Sequence, residues 1–166
     1  MADRIGEEGG GWAIARTSLG HERSAGALTQ ARFYRRVADD LLALARKQGA
    51  AAEPVTRQNL ARLETDVRLL GYCGARTVAE IIGRGEPGPV SSFSRLFNSQ
   101  VEQRLHELAV DLLGADGLLG PEVPDTGRWV WGFLRTRAST IGAGTSEIQR
   151  TIIAEKVLGL PREPGL

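Results

Sequence analysis

The chain has 166 residues, 42% hydrophobic and 25% charged, with 21 basic against 20 acidic side chains and a formal net charge of +1. Such a length buries one substantial core without metal or disulfide support, and the near-zero balance removes any electrostatic case for nucleic acid or an acidic membrane as partner. The single Cys73 cannot close an internal disulfide and reads as a buried structural thiol of a reducing cytoplasm; no run reaches the roughly 18 apolar residues of a membrane span, and the start lacks a secretion signal.

Residues 1–11 form a flexible, polar, glycine-rich lead, residues 12–162 the folded domain and residues 163–166 a tail. From about Trp12 the composition is helical, and Leu28, Ala31, Val37, Leu41 and Leu44 recur at intervals of three, four or their sums, making one apolar stripe on a first long helix. The stretch from Gly49 to Pro54 breaks it. A second long helix carries Leu60, Leu63, Val67, Leu70, Gly74, Val78 and Ile81 and stops at the breaker Gly83-Arg84-Gly85-Glu86-Pro87-Gly88-Pro89. Ser91 or Ser92 caps a third, with Val101, Leu105, Leu108 and Leu112 on one side and Gly114 and Gly117 at its end.

A loop with Pro121 and Pro124 leads to a short segment holding Trp129, Trp131 and Phe133, an aromatic cluster that reads as core rather than as a substrate contact. His21 and His106 have no acidic or thiol neighbours at ligand spacing; both read as surface or cap residues, and no metal site is expected. The chain closes with Gly142-Ala143-Gly144-Thr145-Ser146-Glu147-Ile148-Gln149-Arg150, then an amphipathic helix and the stop Gly159-Leu160-Pro161. Ser146 and Gln149 have the spacing of a capping box, and a helix start after glycines offers unpaired N–H groups to an anion. Three long one-sided helices and a shorter one bury their stripes as an all-α, up-and-down four-helix bundle.

The run from Gly142 to Arg162 resembles the carboxyl-terminal signature of the acyl-CoA dehydrogenases, flavoenzymes that introduce a double bond between the α and β carbons of an acyl-CoA thioester. Gly9-Gly10-Gly11-Trp12 and Leu19-Gly20-His21-Glu22-Arg23 resemble the segment that enters the first long helix of that family's final domain. The resemblance implies the helical-bundle domain of an FAD-dependent enzyme whose amino-terminal helical and middle β domains are not encoded here. It further implies an acyl-CoA substrate, assembly as a homo- or hetero-oligomer with acyl-CoA dehydrogenase subunits, and an electron-transferring flavoprotein as an admissible electron acceptor. One bundle offers part of the cofactor surface, so weak flavin binding and little turnover are expected of it alone.

Many members place the proton-abstracting glutamate directly before the Gly-Thr of the tail; that position is Ala143, which accepts no proton. Others place it before an arginine at the start of the long helix, which here is Glu22 followed by Arg23. Glu22 is therefore the candidate base, its pKa raised by an apolar acyl pocket, with Arg23 steadying the carboxylate or the thioester region. For the flavin, the resemblance transfers contacts to Gly144, Thr145 and Glu147, the last standing where some members have glutamine. The family's glycine turn, which meets the flavin pyrophosphate of a neighbouring subunit, corresponds to Leu113-Gly114-Ala115-Asp116-Gly117 and retains Gly114 and Gly117, while Asp111 stands where some relatives have glutamine.

An Arg-x-x-Phe-Gly motif expected after the first helix is replaced by Arg46-Lys47-Gln48-Gly49, a departure that points to a divergent bacterial branch handling steroid side chains or other bulky acyl groups. Ala143 also admits an alternative, a non-catalytic partner that stabilises another dehydrogenase subunit.

Overall fold

The computed structural model describes residues 5–24, 26–85, 88, 90–142 and 144–162, with the side chains of residues 16, 19–24, 27 and 28 outside that description. Among the described residues the regular structure is helical and no strand occurs. Six α-helices follow one another: α1 (Gly11–Ser24), α2 (Ala27–Lys47), α3 (Pro54–Arg84), α4 (Val90–Leu113), α5 (Gly127–Arg135) and α6 (Ser146–Ile152). Short 3-10 turns join several of them, and α6 runs on into a wider π turn, Ile153–Val157.

The first long helix foreseen from the apolar stripe is in fact two. Gly26 takes φ 103°, a left-handed conformation that no helix interior contains, and so divides α1 from α2. The other boundaries follow local chemistry. Gly49 at φ 72° turns the chain after α2, Glu53 caps α3 by accepting the Thr56 N–H at 2.8 Å, and Pro54 takes the first helical position, where its missing N–H costs nothing. Gly85 closes α3 at φ 77°, its N–H donating to Ile81 O.

Ser91 and Ser92 do not cap α4. The helix begins at Val90, both serines lie buried in its first turn, and the Ser91 hydroxyl donates back to Gly88 O at 2.9 Å. The last cap also shifts by one residue. Thr145, extended at φ −61° and ψ 162°, is the N-cap of α6, while Ser146 is the first helical residue.

The core lies between α2, α3, α4 and α5. Tyr34, Ala38 and Leu41 meet Leu63, Val67 and Leu70, then Val101, Leu105, Ala109 and Leu113, with Trp129 from α5 closing the cluster. Ion pairs at its rim link neighbouring elements: Arg35 of α2 with Glu64 of α3, Arg104 of α4 with Asp66 of α3 at 3.0 Å, and Arg128 of α5 with Asp40 of α2 at 2.9 Å. All are partly solvated, so they contribute register more than stability. Cys73 is half-buried rather than enclosed, and burial still pushes its thiol up. No described helix is long and apolar enough to cross a membrane.

His106 is also not the surface residue its sequence context suggested. It is 8% exposed, its Nδ1–H donates to Glu102 O at 2.9 Å, and its ring faces Trp129 with centroids 6.2 Å apart. Room for it comes from Gly132, where an added Cβ would lie 2.1 Å from His106 Cδ2.

Truncating Leu105, fully buried at the centre, to alanine should cost about 2–5 kcal/mol in urea unfolding, against under about 0.5 for Ile82→Ala on the exposed face of α3. Burial holds the His106 pKa below its ordinary value. The unfolded chain therefore binds this proton more readily, and stability falls as pH drops through about 6.5 toward the lowered folded value. Between about pH 7.5 and 5.5 the urea midpoint of the wild type should fall further than that of His106→Gln. Equal falls would remove His106 as the cause.

Candidate functional site

The Gly144-Thr145 turn is built by mutual exclusion. Gly144 sits at φ 99°, and a Cβ there would lie 2.7 Å from Nε2 of Gln149, a side chain only 1% exposed that folds back against the turn. Glycine is thus required twice, by conformation and by space. Thr145 accepts the Ile148 N–H through its hydroxyl at 3.4 Å, and its carbonyl accepts the Gln149 N–H at 2.9 Å. The hydroxyl proton is offered to the Glu147 carboxylate, which stands exposed and pairs with Arg150 at 3.4 Å. The Glu147 backbone N–H and then Thr145 hold that carboxyl below the ordinary glutamate range.

Thr145 is consequently satisfied as acceptor, while its one donor is turned toward a solvated acid. A cofactor atom can take that donation at little cost, since the displaced carboxylate stays in water. The residues fit a polar ring edge laid against the turn.

The turn itself is held from α4. Arg95 Nη2 donates to Ser139 O and to Gly142 O, both at 2.7 Å, and Gln103 Nε2 donates to Thr136 O at 3.1 Å. These two side chains grip both ends of the 3-10 turn Thr136–Thr140 that leads toward Gly144. Nothing in the sequence pointed to Arg95, because its acceptors are backbone carbonyls 44 and 47 residues further on.

The second glycine stretch lies at the opposite end of α4. Gly114 takes φ 57° with open space around it, whereas at Gly117 a Cβ would lie 2.9 Å from Val110 O. From Arg95 to Leu113 the helix climbs 18 residues, about 27 Å. The structure therefore does not bring Gly114 and Gly117 together with Gly144, Thr145 and Glu147, and one ring system cannot touch both turns. Asp111 is exposed in a groove with Asn59, Arg62 and Arg104.

Glu22 and Arg23 occupy the last turn of α1 rather than the start of the long helix, and their side chains lie outside the described residues, as does Ala143 altogether. Among the three aromatics, Trp129 is core as expected. Trp131 is instead exposed and lines an open groove of about 490 Å³ with Phe33, Val37 and His106. No group of acidic, histidine or cysteine side chains suited to a metal occurs among the described residues.

Residues 9–158 match the family model of the acyl-CoA dehydrogenase C-terminal domain. The chain belongs to the acyl-CoA dehydrogenase family. It is 38% identical over 159 residues to the acyl-CoA dehydrogenase IpdE1 of Mycobacterium tuberculosis, a match covering 96% of this chain and 40% of that protein. Among solved structures it resembles the steroid ACAD Tcur3481-Tcur3483 at TM-score 0.83 and 25% identity over 96% of this chain and 42% of the other. It also resembles the ChsE4-ChsE5 complex of M. tuberculosis at TM-score 0.69 and 26% identity, over 98% and 44%. The acyl-CoA dehydrogenase bundle described here thus spans about two fifths of the length of these relatives.

Gly144→Ala should destabilise the fold by about 1–3 kcal/mol, because it adds a steric conflict with Gln149 to an unfavourable φ. Gly49→Ala, at φ 72° with open space around it, should cost about 1 kcal/mol or less. Equal costs in denaturant titration would rule out the Gln149 packing.

Proposed function

We propose that this chain supplies the helical-bundle part of an FAD-dependent acyl-CoA dehydrogenase that forms a carbon–carbon double bond α,β to a thioester. The observation that carries the reading is the Gly144-Thr145 turn: a left-handed glycine followed by a threonine whose donor is free to be redirected, within a domain matched over residues 9–158. Bound flavin would supply the acceptor for the β-hydride.

The chain's own residues do the rest. Thr145 donates to the flavin ring edge in place of Glu147, and Gly144 lets the backbone approach closely. Glu22 takes the α-proton, with Arg23 orienting the carboxylate. Support for Glu22 comes from the Glu-Arg pair itself and from Ala143, which leaves the tail position without a base.

The placement of the two glycine turns toward opposite ends of α4 supports an oligomer in which Gly114 and Gly117 serve the flavin of a neighbouring subunit. The two-chain names of Tcur3481-Tcur3483 and ChsE4-ChsE5 make a hetero-oligomer the preferred form. The steroid ACAD among the relatives supports a bulky, ring-bearing acyl group as substrate. A second reading, a non-catalytic stabilising subunit, is favoured by Ala143.

The two readings separate on one substitution. In the flavin-loaded assembly Glu22→Gln should lower acyl-CoA dehydrogenation by about a hundredfold or more while flavin content is unchanged. Unchanged turnover would establish the stabilising role instead.

A further inference from the structure

We infer that Arg95 is a positioning residue for the cofactor-facing turn, acting through the carbonyls of Ser139 and Gly142 without touching the reacting atoms. The inference rests on the flavin reading above and goes beyond it, since no motif or match assigns this arginine a role.

The observation that sets Arg95 apart is the nature of its partners. Arg35, Arg68, Arg104, Arg128 and Arg137 each face a carboxylate. Arg95 makes no ion pair among the described residues and spends its charge on two carbonyl oxygens, each at 2.7 Å. Those distances lie at the short end for N–H···O bonds, as charge assistance requires. The acceptors stand where the 3-10 turn Thr136–Thr140 ends and its last carbonyls lack intrahelical partners. The Ala138 carbonyl is already taken by the N–H groups of Ile141 and Gly142, and Arg95 collects Ser139 O next along the turn together with Gly142 O beyond it.

The mechanical consequence follows from chain order. Gly142 precedes Gly144 by two residues, and Thr145 comes next. Glycines tolerate many backbone conformations, so a turn containing Gly142 and Gly144 does not fix its own exit direction. A charged clamp on Gly142 O, anchored in a helix of 24 residues, restores that direction. Gln103, eight residues further along α4, holds Thr136 O at the start of the same turn; it sets where the turn begins, and Arg95 sets where it delivers Thr145. Both bonds come from Nη2, whose two protons are fixed in the guanidinium plane; lysine at position 95 keeps the charge but carries it on a shorter, freely rotating ammonium that does not hold two donors in set directions.

The test compares wild type, Arg95→Met and Arg95→Lys in the flavin-loaded assembly with its partner chain. Three quantities are read: the flavin dissociation constant, the visible flavin spectrum, and amide hydrogen exchange at Ile148 and Gln149 against Leu41 and Leu105 in the core. Arg95→Met should weaken flavin binding by at least about tenfold, the scale of one charge-assisted hydrogen bond, and shift the visible band. It should also speed exchange at Ile148 and Gln149 while leaving the core amides unchanged, and Arg95→Lys should recover part of each effect. Wild-type affinity and spectrum in Arg95→Met overturn the inference. So does faster exchange everywhere, which would mark Arg95 as a general stabiliser. A wild-type assembly that holds no flavin defeats the functional reading, and the cofactor role of Arg95 falls with it.

Discussion

Helix α4 is the constraint on which the other elements depend. α1, α2, α3, α5 and α6 all pack against it, and its Val101, Leu105 and Ala109 are fully excluded from solvent. A helix surrounded on so many sides must satisfy different neighbours on different faces. One face is aliphatic and forms the core with α2 and α3. Another carries Asn98 and Glu102, which engage the buried Tyr34 phenol; desolvation and then the Glu102 carboxylate drive its pKa far upward, so it stays a neutral donor. Along the same stripe Arg95 lies seven residues before Glu102 and, with Gln103, grips the turn before α6. Core packing and placement of the candidate site are thus functions of a single helix, and a shift of α4 by one turn would disrupt both.

The long-range pattern was legible because it is periodic. Leu63, Val67 and Leu70 on α3 and Val101 and Leu105 on α4 repeat at helical intervals, and the structure buries them where the repeat says. Smaller members of the core escaped notice because alanine, serine and threonine carry little hydrophobic signal. Ala38, Ala45, Ala109, Thr77 and Ser99 are all buried and let the helices approach closely. The division at Gly26 was hidden for a different reason: glycine is tolerated in helices, and only its φ of 103° distinguishes a break from a soft spot. The cap of α6 moved from Ser146 to Thr145 because either hydroxyl satisfies the local rule, and Gly144 with Gln149 behind it decides between them.

The site was readable as residue types and not as an arrangement. Gly144, Thr145 and Glu147 stand adjacent in sequence, so the turn they form could be anticipated. Arg95 and His106 could not, since what gives each its role lies far off in the chain: the carbonyls of Ser139 and Gly142 for one, the missing Cβ of Gly132 for the other. The separation of the two glycine turns belongs to the same class of fact. Sequence places Gly114 and Gly144 thirty residues apart and says nothing of distance; in the fold Arg95 beside Gly142 and Leu113 before Gly114 are separated by about 27 Å of rise along α4.

That separation bears on how one bundle can take part in a two-site assembly. A turn toward each end of a 24-residue helix offers two separate surfaces, so a partner at one end need not compete with a partner at the other. The two ends are also built differently. At one end Gly114 has nothing near a would-be Cβ, although Gly117 three residues on packs tightly against Val110, so the backbone is open at Gly114 alone. At the Gly144 end the backbone is filled from behind by Gln149 and clamped from the side by Arg95, so the shape is set before anything docks. Preorganisation of this kind matters most where a reacting ring must be held in register, and less where a flexible diphosphate is merely neutralised. The asymmetry in backbone support therefore makes the Gly144 turn the more preorganised of the two, the one whose shape a rigid partner would meet ready-made.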